Sequence, residues 1–151
     1  MLLSYRLPRE PSSPRITLWR KLKRLGVVQL LDGLVALPLD SRNREQLEWL
    51  ADEVVEAGGD AMIWIGEVGS AAQERAIAHQ MAAVVSADYR RLIADAHTAS
   101  GSAPGQRRRT LGRLRRELRR IRSRDYFPPP EREHAHRAVE ALAVLVGEEA
   151  A

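Results

Sequence analysis

"VVQLLDGLVALP", Val27 to Pro38, is the stretch that decides the fold. Two apolar runs rich in valine and leucine flank Asp32-Gly33, a pair suited to the positive φ angles of a tight type I′ hairpin turn. Pro38 ends the second strand. Upstream, "SSPRITLWRKLKRLG" reads as a helix: Ser12 or Ser13 caps it, Pro14 suits its first turn and Gly26 ends it. Leu18, Leu22 and Leu25 form its apolar stripe, with Trp19 alongside. "LLSYRLP" before it reads as a short strand closed by Pro8. Downstream, "DSRNREQLEWLADEVVEAGG" reads as a helix capped at Asp40 or Ser41, with Leu47, Leu50, Val54 and Val55 as its apolar positions. "DAMIWIGEV" is the last strand. The order β-α-β-β-α-β over residues 2–68 is joined most simply as a four-stranded antiparallel sheet with both helices on one face, the ferredoxin-like arrangement. Trp19, Trp49 and Trp64 are expected in its core.

From Gly69 onward the pattern is helical only, so the predicted class is α+β: a ferredoxin-like domain over 1–68 and an all-helical extension over 69–151. Ala71–Ala99 is a long alanine-rich helix carrying Ile77, Met81, Val84, Val85, Leu92 and Ile93. "TASGSAPGQ" is a loop, 107–124 a further helix, and Glu131–Val146 the last. "DYFPPP" separates these two, since consecutive prolines cannot continue a helix. Tyr126 and Phe127 are expected to pin the last helix to the body.

The 151 residues are 44% apolar and 29% charged, ordinary for a globular protein. There is no cysteine, which removes disulfides, thiolate nucleophiles and cysteine metal sites and fits a cytoplasmic protein. "MLLSYRLPREP" has no basic n-region and no long apolar core, and no apolar run reaches membrane-spanning length, so neither a signal peptide nor a membrane partner is expected.

Net charge is +4 and unevenly placed: residues 1–68 carry nine basic and ten acidic side chains, residues 69–151 fifteen and ten. Two clusters stand out. Arg15, Arg20, Lys21, Lys23 and Arg24 share the first helix. Residues 107–124 hold ten of the twenty-two arginines, beside one acid, Glu117. There, Leu111, Leu114, Leu118 and Ile121 repeat at three, four and three, one narrow stripe, and the arginines cover the remainder. Such a surface is either solvated, its stems shielding apolar neighbours, or made to hold anions. Like charges so dense repel one another, and a merely structural helix intersperses more glutamates.

Catalytic and cofactor signals are scarce. His134 and His136, two apart on a helix, point to different sides, and His79 and His97 have no matching ligand nearby, so no metal site is expected. Asp52, Glu53 and Glu56 read as an exposed helix face. Neither a phosphate-cradling glycine loop nor a dinucleotide fingerprint occurs, and no cofactor or catalytic residue is assigned. A helix followed by a hairpin also ends a winged-helix DNA-binding unit, but a wing tipped by Asp32 would meet phosphate poorly.

"RLPREPSSPR", "WRKLKRLG", the hairpin ending "ALP", "EWLADEVVEAGGDAMIWIGEV" and "RDYFPPPEREHA" resemble the N-terminal domain of the ChrB family, regulators encoded with bacterial chromate-resistance transporters. The likeness spans nearly the whole chain and also suggests kinship with PaaX-type repressors. It implies a cytoplasmic, chromate-responsive transcriptional regulator that binds promoter DNA. Full-length members continue into a second domain where this chain stops, which puts the chromate response in question. Chromate is a tetrahedral dianion that guanidinium forks can pair with, and the same side chains can grip DNA phosphates.

The reading is therefore a non-enzymatic regulator with expected contacts assigned as follows: Arg15, Arg20, Lys21, Lys23 and Arg24 to DNA, and Arg115, Arg116, Arg119 and Arg120 to DNA or an oxyanion. A homodimer is expected. One rival is a helical scaffold protein matched to an acidic partner. The other is a small ferredoxin-like nuclease, for which "LLSYRLP" lacks the carboxylate a metal would need.

Overall fold

The computed structural model describes residues 1–148. The element order is β1 (Leu2–Arg6), α1 (Ser13–Leu25), β2 (Val28–Leu31), β3 (Leu34–Ala36), α2 (Ser41–Glu56), β4 (Asp60–Trp64), α3 (Ala71–Ser100), α4 (Pro104–Ser123) and α5 (Glu131–Glu148). The chain forms two compact units, Met1–Ala78 and His79–Ala151.

In the first unit the four strands form one antiparallel sheet in the order β2-β3-β1-β4, which is the ferredoxin-like order. Leu3 is the centre of the register, opposite Val35 of β3 and Ile63 of β4. Cross-strand partners share a face, and Leu3 and Val35 are fully buried. That face is the core side, completed by Leu18 and Leu22 of α1 and Leu47, Leu50 and Val54 of α2. The β2-β3 hairpin is built into the sheet through β3 and β1, so it is not a free wing.

The helix ends follow local chemistry. Asp40 caps α2 by accepting from the Asn43 amide at 2.7 Å, and Asn43, itself buried, donates its side-chain amide to Pro38 O at 3.0 Å. Ser12 stands at the N-cap of α1 without a side-chain cap bond, and Gly26 ends the helix at φ 80°.

The hairpin turn differs from expectation. Gly33 has φ 71°, but Asp32 does not take a positive φ, so the turn is not type I′. The strands absorb the difference in a register shift between Gln29 and Leu31. Gly33 meets a second demand. Its carbonyl accepts from the Tyr5 amide at 2.8 Å, and a Cβ at this position would lie 2.4 Å from Tyr5 O. The hairpin tip is therefore glycine because β1 docks on it.

The tryptophans are not core residues. Trp49 is 58% exposed, Trp64 is 52% exposed and Trp19 is half-buried. On α2 the stripe Leu47, Leu50, Val54 fills the interior, which leaves Trp49 and Val55 outside it. On β4, Met62 and Trp64 alternate with Ile63 and so point to the open face, where the Trp64 indole donates to Ser4 Oγ at 2.9 Å.

The second unit is a three-helix core. Val85, Tyr89, Leu92, Ala96 and Ala99 of α3 pack with Leu111, Leu114, Leu118 and Ile121 of α4 and Ala135, Val139 and Leu142 of α5. The predicted stripe of α4 is buried throughout, whereas Val84 of α3 is 61% exposed. The α3–α4 connection is only residues 101–103, because Thr98–Ser100 remain helical and Pro104 opens α4.

Gly33→Ala should lower stability by about 1–3 kcal/mol, through left-handed strain and the clash with Tyr5 O, read as a shift in the urea midpoint with unchanged slope.

Candidate nucleic-acid interface

Helix α1 contains no acidic residue, so its cations must find partners elsewhere or none. Its buried stripe, Leu18 and Leu22, fixes how they are distributed. At about 100° per residue, Arg20, Lys23 and Arg24 fall on the side away from that stripe, while Arg15 and Lys21 flank it on opposite sides. The five predicted residues therefore do not form one surface. Arg15 donates to Pro8 O at 3.1 Å. Lys21 Nζ lies 2.7 Å from both carboxylate oxygens of Glu53 on α2, a half-exposed pair that ties the two helices together. Lys23 Nζ stands 5.5 Å from the Trp19 ring centroid, a cation–π contact that leaves its charge available. Arg20 and Arg24, both exposed, form no ion pair among the described residues. The structure thus brings together Arg20, Lys23 and Arg24.

On α4, Arg115, Arg116, Arg119 and Arg120 are all exposed. They span a wide arc because they belong to two rows. Arg113 reaches Asp95 of α3 at 2.8 Å, and Arg120 is 3.6 Å from Glu117. Arg109 donates to Gln106 at 2.9 Å. Every apolar side chain of the helix from Leu111 to Ile121 is buried, so what α4 shows to solvent is almost wholly guanidinium.

A buried polar cluster escaped the sequence reading. The Tyr89 hydroxyl donates to Asp125 Oδ2 at 2.8 Å, with Arg132 of α5 3.7 Å from the same oxygen. The Asp125 side chain is fully buried, and its Oδ1 has no hydrogen-bond partner. Beside it Arg124 pairs with Asp88 at 2.7 Å, and Arg91 also binds Asp88. The corner is pinned by these charges rather than by Phe127, which is 40% exposed. The only sequence signal was a carboxylate three residues before a helix-breaking proline run. Burial, and then the bond to Asp125, pushes the Tyr89 phenol above its ordinary value. At the start of α5, Glu131 is held below the usual carboxylate range by hydrogen bonds from its own backbone amide and from Ser86, aided by Arg90 and His134.

Among the described residues no group of three or more His, Cys, Asp or Glu could hold a metal ion, and no helix is long and apolar enough to cross a membrane.

Fold and surface together define an α+β protein whose accessible chemistry is positive charge on two helices. Residues 15–101 match the family described as Protein ChrB, N-terminal, and the chain belongs to that family. Protein ChrB of Cupriavidus metallidurans is 29% identical over 132 residues, which is 85% of this chain and 40% of that protein. The chain therefore spans less than half the length of that curated relative. No solved structure matches it.

Because the native state favours the neutral phenol, the stability contributed by Tyr89 is complete below the unfolded-state pKa of about 10.0 and declines as pH rises past it. Tyr89→Phe should cost about 1–3 kcal/mol at neutral pH, by leaving a buried carboxylate without its donor, and should flatten the alkaline limb of a stability–pH curve measured by chemical denaturation.

Proposed function

We propose that this protein is a DNA-binding transcriptional regulator of a chromate-resistance system, acting without catalysis and as a homodimer. The observation that carries the reading is the outward face of α1, where Arg20, Lys23 and Arg24 gather on a helix that has no acidic residue of its own. Cations left without acids are what phosphate contacts need, and charge at suitable spacing is all that a DNA backbone asks for. Membership of the ChrB N-terminal family supports the chromate-resistance setting. The exposed apolar side chains Met62, Trp64, Ile65 and Val68 support self-association.

Lys21 is no longer a DNA contact in this reading, because Glu53 holds both its charge and its direction. Arg15 is a flanking contact at most, since its guanidinium serves the Pro8 carbonyl. Chromate enters as a competitor for guanidinium forks that otherwise grip phosphate. A sensor complete in this length of chain would release DNA on adding chromate and keep it in equal sulfate.

Fluorescence anisotropy with DNA from upstream of the gene, across a salt series, tests this. Arg20→Glu, Lys23→Glu and Arg24→Glu together should abolish binding with the circular dichroism spectrum intact, while Lys21→Ala should leave affinity within about twofold, as expected for a surface pair worth less than about 1 kcal/mol. Full affinity in the triple variant removes α1 from the interface.

A further inference from the structure

Helix α4 carries a row of arginines that no side chain among the described residues engages. At about 100° per residue, Arg108, Arg115, Arg119 and Arg122 fall within roughly 60° of arc, on the flank of the buried leucine stripe. All four are exposed, and among the described residues none forms an ion pair or side-chain hydrogen bond. The neighbouring row, Arg109, Arg113, Arg116 and Arg120, is different: three of its four members are engaged by Gln106, Asp95 or Glu117.

We propose that the row Arg108, Arg115, Arg119 and Arg122 binds the phosphodiester backbone of duplex DNA along its length, not a discrete oxyanion; this deepens, and rests on, the DNA-binding reading above. Length is the first reason. From Arg108 to Arg122 the helix rises about 21 Å at 1.5 Å per residue. A tetrahedral anion needs its donors within about 3 Å of its oxygens, so it can engage only adjacent members of such a row. A duplex strand, advancing about 3.4 Å per phosphate, presents on the order of six charges over the same length.

Composition is the second reason. A protein partner would be recognised through an apolar centre with a polar rim. An anionic membrane would need an exposed apolar face on the helix. The apolar side chains of α4 from Leu111 to Ile121 are all spent in the three-helix core.

Gly112 supplies an independent sign. It lies mid-helix on the same side, between Arg108 and Arg115, and a Cβ there would meet only Arg116 Nη1, at an ordinary 3.7 Å. Alanine would fit and would favour the helix more. Packing within the chain does not require glycine at this position, and its bare backbone leaves a notch in the row where a phosphate chain can come close.

The test compares two quadruple variants of equal charge by duplex anisotropy over a salt series. One replaces Arg108, Arg115, Arg119 and Arg122 with Gln, the other Arg109, Arg113, Arg116 and Arg120. Glutamine keeps helix propensity, and matching melting temperatures confirm folding. The first variant should lose about 3–4 from the slope of log affinity against log salt, as expected for about 0.9 per phosphate contact, and the second clearly less. Gly112→Gln should weaken binding severalfold without lowering the melting temperature. Equal slope losses would reduce the row to general charge and overturn the proposal, as would an unchanged slope in the first variant. Polyglutamate that distinguishes wild type from the first variant, where duplex does not, would make the occupant an acidic protein and also overturn it. If the α1 triple variant loses binding while the row variant keeps its full slope, only the row is lost. If the wild type binds no duplex, both readings fall.

Discussion

The burial of Leu111, Leu114, Leu118 and Ile121 is what allows α4 to exist. Ten arginines within eighteen residues repel one another, and an isolated helix of that composition would be marginal in water. Four side chains packed against α3 and α5 supply apolar burial worth roughly 1.5–3 kcal/mol each, enough to outweigh like-charge repulsion that is screened at the surface. The apolar stripe also fixes the rotation of the helix, and with it which arginine meets Asp95 and which form no ion pair among the described residues. The charge pattern of the second unit is thus a consequence of its core.

In the first unit the same logic holds with smaller numbers. Leu18 and Leu22 orient α1, and their spacing decides that Arg20, Lys23 and Arg24 face outward while Lys21 turns toward α2. A cluster of five cations in sequence becomes three in space and one interhelical tie, with Arg15 engaged at the flank by Pro8. Spacing along the chain, read without helical rotation, does not show which of these cations share a face.

Much of the architecture was legible because it rests on local signals. Pro14 and Gly26 bracket α1, Asp40 opens α2, and the alternation around Asp32-Gly33 places a hairpin, so the strand order β2-β3-β1-β4 follows from element order and simple connection rules. What escaped depends on tertiary partners. The turn type was misread because Gly33 answers to Tyr5, far away in sequence. The tryptophans were placed inside on size alone, although the narrow stripe of α2 and the alternation of β4 leave Trp49 and Trp64 outside. The link between Tyr89 and Asp125 joins residues thirty-six apart and has no periodic signature. Of the candidate surface, the sequence located the helices, while the engagement of individual cations needed coordinates.

The pairing of β1 with β4 has a consequence for how the molecule is made. Leu2 faces Trp64 and Leu3 faces Ile63, so the strand at the very start of the chain has its outer neighbour some sixty residues later. The second unit closes through neighbouring helices joined by short connections, and such sequence-local contacts form quickly. During synthesis, β1 leaves the ribosome before β4 and cannot complete its ladder until β4 has followed it out. Once β3 has paired with one side of "LLSYR", its other edge stays free until β4 arrives, and the arginine that ends the strand is the kind of charge that discourages premature pairing with another chain.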